Sequence, residues 1–150
     1  MRKIIFSVIV IAILLCGCSS TKNIYSYFQE PKEIVIYDNG KEKTINKSDD
    51  KFIEILEANN KRFESQLVAY KVTLDEKTLS EMKKKELLIE FVYPKKIKTK
   101  LKHDSKEYDK IIIPLTGDLK SLVFYGENSG DFGSGYGPLL SPDEVIRLIK

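Results

Sequence analysis

From Ile4 to Leu15 the chain reads IIFSVIVIAILL, apolar apart from Ser7 and preceded by the basic pair Arg2-Lys3. A helix that spans a bilayer needs ~20 apolar residues, so this run is too short to cross comfortably. Its size and its basic flank fit the hydrophobic region of a secretory signal. A segment of that kind is read by the export machinery and then removed. The folded body is therefore expected to come from the residues beyond it.

The run ends in LLCGCSS, Leu14 to Ser20, with two cysteines one residue apart. An ordinary export signal closes on small residues in an A-x-A-like pattern; here Leu15-Cys16-Gly17-Cys18 stands in its place. This resembles the lipobox of bacterial lipoproteins: an aliphatic residue, a small residue, Gly or Ala, then the cysteine to be acylated. Cys16 is small enough for the second position, though less usual there than Ala or Ser. Bulky Leu15 precedes Cys16, which makes Cys18 the residue marked for lipid. The resemblance implies cleavage between Gly17 and Cys18 and a diacylglycerol thioether on Cys18. It also implies residence on the extracytoplasmic face of the cell membrane. Each buried methylene contributes ~0.8 kcal/mol, so two or three acyl chains hold far more firmly than one myristoyl group. A composition rich in Lys, Ile, Tyr, Asn and Glu resembles that of low-GC Gram-positive bacteria, and the signal resembles those of their small lipoproteins. The resemblance covers residues 1–20 only.

Three segments follow: 1–17 as signal peptide, 18–30 as a tether, and 31–150 as a single domain long enough to bury a core. Phe28 in the tether, with Tyr25 and Tyr27, forms an aromatic cluster suited to packing back on the domain or to the headgroup level. No cysteine follows Cys18, so the domain relies on packing without disulfides. The formal net charge is +3, of which Arg2 and Lys3 carry two, leaving the remainder close to balance. Near-neutrality and export together argue against a nucleic-acid partner.

Along the domain, KEIVIYDNGKEKTI reads as a hairpin with Asn39-Gly40 supplying the positive φ of a primed turn. SDDKFIEILEANNKRF reads as the main helix, with Ser48 as cap, Asp49 and Asp50 at its positive end, and Lys61 and Arg62 at its negative end. Phe52, Ile55, Leu56 and Phe63 line one face of it. Gln66 to Leu74 reads as a strand, and Thr73 with Glu76 as the box opening a short helix or turn. A four-stranded meander is expected next: ELLIEFVY, a turn at Tyr93-Pro94, KIKTKL, YDKIIIPL, and KSLVFYG after Thr116-Gly117-Asp118. Pro114 cannot donate to a ladder and marks an edge or an end. SPDEVIRLIK reads as a C-terminal helix with Ser141 as cap and Pro142 at its first position. The fold class is α+β: an antiparallel sheet of five to seven strands, one main helix and a short C-terminal helix.

Metal and nucleophile chemistry find little support. His103 is the single histidine, in the charged turn LKHDSKEY, and zinc wants three or four His or Cys ligands. No serine stands in a G-x-S-x-G context. Gly133, Gly135 and Gly137 are spaced G-x-G-x-G, which is not a phosphate-binding fingerprint, and Asp143 and Glu144 would repel phosphate from the following helix. No metal ion and no cofactor is expected. Gly126 to Leu140 reads instead as a long loop pinned by Tyr136 and Pro138. Its candidate contacts are Glu127, Asn128, Asp131 and Tyr136, since long loops are often functional. Lys96, Lys98, Lys100 and Lys102 alternate along one strand. Such a stripe protects an exposed strand from aggregation or meets anionic headgroups and wall polymers. Glu90, between Leu88 and Val92, is expected on a solvated second face; burial there would raise its pKa.

The expectation for function is a non-catalytic, membrane-tethered binding or accessory module, inhibitor-like roles included, for a protein, peptide or wall-polymer partner. A surface hydrolase acting through Glu90, Asp118, Glu127 or Asp131 is the competing class. A structural role in the cell envelope is the third.

Overall fold

A computed structural model describes residues 28–63, 67–98, 107–127, 130 and 132–150. The signal segment, Cys16, Gly17, Cys18, Tyr25, Tyr27, Lys100, Lys102, His103, Asn128 and Asp131 lie outside the described residues. Seven strands form one antiparallel sheet: β1 Glu33–Asp38, β2 Lys41–Asn46, β3 Val68–Leu74, β4 Leu87–Lys98, β5 Glu107–Pro114, β6 Phe124–Gly126 and β7 Phe132–Gly137. Among the described residues three helices accompany them: α1 Lys51–Lys61, α2 Glu76–Lys85 and α3 Asp143–Ile149. The order across the sheet is β2-β1-β4-β5-β6-β7-β3. The architecture is α+β, with α1 as the longest of the described helices and α3 as the short C-terminal one. Among the described residues, no helix is long and apolar enough to cross a membrane.

Alternation along the strands divides the apolar residues between two faces. Ile34 and Ile36, Leu87, Ile89, Phe91 and Tyr93, and Ile111 and Ile113 turn to the first face, where α1 contributes Phe52, Ile55 and Leu56. Phe28, assigned to the tether, also belongs here: it is 1% exposed and meets the rings of Phe63 and Phe91 edge-on at 4.6 and 5.1 Å. One tyrosine from each of β4 to β7 extends this core. The ring centroids of Tyr93, Tyr108, Tyr125 and Tyr136 follow one another at 5.8, 5.0 and 5.6 Å. Burial pushes the Tyr108 phenol up to about 12. The second face is smaller. Leu88, Ile112, Phe124 and Phe132 lie there under Leu79 and Met82 of α2.

Arg62 closes α1 without reaching solvent. Its side chain is buried, Nε donates to the Leu140 carbonyl at 3.0 Å, and Nη2 donates to the Lys120 carbonyl at 2.6 Å. Burial lowers its pKa to about 10, which still leaves it charged at neutral pH. Sequence position alone suggested a dipole role; the guanidinium instead clamps the chain leading into α3.

Five local expectations need correction, the first being that Pro142, not Ser141, takes the cap position of α3, with Ser141 Oγ accepting from the Asp143 N–H at 3.3 Å. Tyr93-Pro94 is not a turn: β4 runs through it, and a register shift between Val92 and Ile97 absorbs the extra residues. A proline is tolerated in a bulge because no ladder donor is needed there. The glycine-rich stretch is not a loop throughout, since Phe132–Gly137 forms β7 between β6 and β3. Its glycines admit neighbours: a Cβ on Gly135 would lie 2.9 Å from Phe124, and one on Gly137 would lie 2.6 Å from the Ser121 carbonyl. At α2 the cap is Asp75, whose carboxylate accepts from the Thr78 N–H at 2.7 Å, and the helix spans ten residues. Finally, Asp50 rather than Ser48 precedes α1, while the Asp49 carboxylate accepts from the Lys51 N–H at 2.9 Å.

Candidate functional site

The hairpin tip sets the position of α2. Asn39 and Gly40 take φ of 50° and 81°, the left-handed values that a two-residue primed turn demands. The turn places the Gly40 N–H 3.0 Å from the Lys83 carbonyl and the Asn39 N–H 3.4 Å from the Glu86 carbonyl. These donors satisfy carbonyls that a helix end otherwise leaves orphaned. Asp75 holds the opposite end, so α2 lies across the second face, fixed at both termini. Between helix and sheet is a half-open cavity of about 400 Å³. That volume falls within the range of small-molecule sites.

The floor of the cavity is charged. In the β1–β4–β5 register, Glu90 stands opposite Val35 and Ile112, while Tyr37 and Lys110 are one same-face step away on the two neighbouring strands. Such diagonal neighbours are within reach of long side chains. Lys83, one helical turn beyond Leu79 in α2, comes down from above. Glu90 is 3% exposed. Its Oε2 accepts from the Tyr37 hydroxyl at 2.9 Å and from Lys83 Nζ at 3.0 Å, while Oε1 lies 3.4 Å from Lys110 Nζ. Lys83 Nζ also sits 4.0 Å from the Tyr37 ring centroid, a cation–π distance.

Burial alone would push the Glu90 carboxyl up. The Lys83 charge and hydrogen bond, the Tyr37 hydroxyl and the Lys110 charge outweigh it, so the net shift is downward. Glu90 is therefore an anion at neutral pH, neither solvated nor raised as the sequence suggested. Tyr37 moves the other way: burial first, then the Glu90 charge and hydrogen bond, keep its phenol protonated. Both shifts favour one arrangement, with the phenol donating and the carboxylate accepting.

The other singled-out residues are dispersed. Glu127 is partly exposed and pairs with Lys96 at 2.6 Å, on the solvent side of β4. Tyr136 is not a loop contact; it is buried in β7 as the last ring of the tyrosine series. Gly130, between Glu127 and β7, does reach the cavity rim. Asp118 lies beside Glu86, whose carboxyl is pushed up by burial and then by the Asp118 charge. The acids of the hydrolase reading thus have separate surroundings: Glu90 in the cavity, Glu127 at Lys96, Asp118 at Glu86. Among the described residues, no group of three or more His, Cys, Asp or Glu is placed to hold a metal ion. Lys96 and Lys98 are exposed while Ile97 between them is buried, so the described part of the lysine stripe does face solvent.

Sequence reasoning missed Tyr37, Lys83 and Lys110. A trace was available: Tyr37 and Lys110 share the strand parity of Val35 and Ile112, and Lys83 is four residues after apolar Leu79. Each is a polar residue on an otherwise apolar face. The chain matches no protein-family model, no curated protein and no solved structure.

Proposed function

We propose that this chain is a lipid-anchored, non-catalytic binding or accessory module on the extracytoplasmic face of the membrane, with the cavity under α2 as its ligand site. The location rests on the Leu15-Cys16-Gly17-Cys18 motif, which resembles a lipobox. For the body, one observation carries the reading. The cavity's buried acid is tied to Tyr37, Lys83 and Lys110 and held ionised, as befits a fixed recognition surface. A general acid would instead need a pKa raised toward the working pH.

Intact-mass measurement of protein extracted from membranes is expected to give a chain starting at Cys18 and carrying acyl groups. A free terminus at Met1 overturns the anchor. A photo-crosslinker at Ser80, an exposed residue on the cavity rim, is expected to capture a partner on intact cells. The same probe at Arg147 of α3 serves as the control, and equal capture at both positions overturns the assignment to this cavity. Turnover of a wall or peptide substrate that disappears in Glu90→Gln alone would replace the binding module with the hydrolase.

A further inference from the structure

Among the described residues, the cavity floor holds two cations and one anion: Lys83 and Lys110 against Glu90, with Tyr37 neutral. At the Glu90 hub itself one positive charge is left over, while over the whole lining Lys83, Lys84 and Lys110 balance Glu42, Glu76 and Glu90. The lysine side chains are 27% and 30% exposed, so they are only partly hydrated, whereas Glu90 is shut away beneath them. Each ammonium has three donors. Because the two ammoniums sit on different oxygens of one carboxylate, a second carboxylate arriving from the open side can bridge them as Glu90 does from below. The walls beside them, Leu79 and Phe132, are apolar. Glu42 and Glu76, offset in part by Lys84, stand on the lining as well and disfavour a dianion such as phosphate more than a single carboxylate.

We propose that the cavity binds the carboxylate head of a small amphipathic molecule, bridged by Lys83 and Lys110, with its apolar body against Leu79 and Phe132. This deepens the preceding reading and rests on the cavity being a ligand site. A free organic acid and a peptide carboxy-terminus present the same head group, and the test separates them.

The full chain, kept in detergent, is titrated by NMR with 3-phenylpropionate, its neutral amide, N-acetyl-Ala-Phe as acid and as amide, and inorganic phosphate. Charge-assisted hydrogen bonds are worth ~1.5–3 kcal/mol and each ~1.4 kcal/mol is tenfold. The acids are therefore expected to bind at least about tenfold more tightly than their amides. Whichever acid binds better identifies the source. Lys110→Gln is expected to erase the preference. Glu90→Gln removes the competing anion without changing shape, so it is expected to tighten acid binding about tenfold; a merely structural Glu90 would give no gain. Equal binding of acid and amide at Tyr37 and Lys83 resonances overturns the carboxylate assignment and leaves the binding module standing. Tighter phosphate binding, or no saturable shift with any probe, also overturns it. The binding module itself falls only on the crosslinking and turnover results above.

Discussion

The two faces of the sheet solve the same burial problem differently. The first face is closed by α1 and α3 and filled with aliphatic and aromatic side chains, including Phe28 from ahead of β1. Among the described residues the second has a single helix over it, and where its apolar cover ends the chain places Glu90 with Tyr37, Lys83 and Lys110. Apolar packing is non-directional and tolerates no water. A charged hub is directional and keeps one side open. A removed partner at a buried ion pair costs more than the pair contributes, so the hub is sensitive to the loss of any one member. The proposed ligand site lies on the face with the smaller apolar cluster.

If the faces differ in this way, Phe91→Ala on the first should give the largest loss, about 3–5 kcal/mol in urea unfolding, because a large ring leaves a cavity in a dense core. A loss under ~1 kcal/mol would mean that this face is loosely packed. On the second face, Lys83→Met should cost about 2–3 kcal/mol, below the full buried-pair value because Lys83 is partly exposed and Lys110 remains. Glu90→Gln should cost less, about 1 kcal/mol, since both freed lysines can turn to water while the amide keeps its bond to Tyr37. A reversed order would show that the lysines, not the acid, are the trapped charges.

The same variant sharpens the comparison through pH. The folded pKa of Glu90 lies below its unfolded value, so its contribution is present above the ordinary carboxylate range and lost as pH falls through the depressed value. Wild type should therefore lose stability in acid more steeply than Glu90→Gln. Glu86 has the opposite sign: raised by burial and Asp118, it favours folding when protonated and opposes it once ionised. The smallest effect belongs to the exposed Lys96–Glu127 pair. Lys96→Ala should leave the unfolding midpoint where it is.

Elements governed by local rules were readable in the sequence. Asn39-Gly40 demanded a turn, and the period of Phe52, Ile55, Leu56 and Phe63 demanded a helix; all four are buried. Pro114 ends its strand as its missing donor requires. Readings failed where a distant partner decided the outcome. The alternating glycines of β7 look like a loop until Phe124 and Leu122 are seen filling the space they leave. Pro94 looks like a stop until the bulge opposite β5 accommodates it. The strand position of Glu90 is legible in the sequence but its ionisation is not, because the three groups that ionise it come from β1, α2 and β5. Its strand position is a local property; its charge is a property of the assembled sheet.

The burial of Phe28 sets a short leash. If Cys18 is acylated as proposed, residues 18–27 separate the lipid from Phe28, and a chain of that length spans at most about 35 Å at roughly 3.3–3.6 Å per residue. A globule of this size is itself some 35 Å across by the usual scaling of domain radius with length. The body could then lift from the lipid surface by no more than its own breadth. Anything it meets would have to be found within that thin layer.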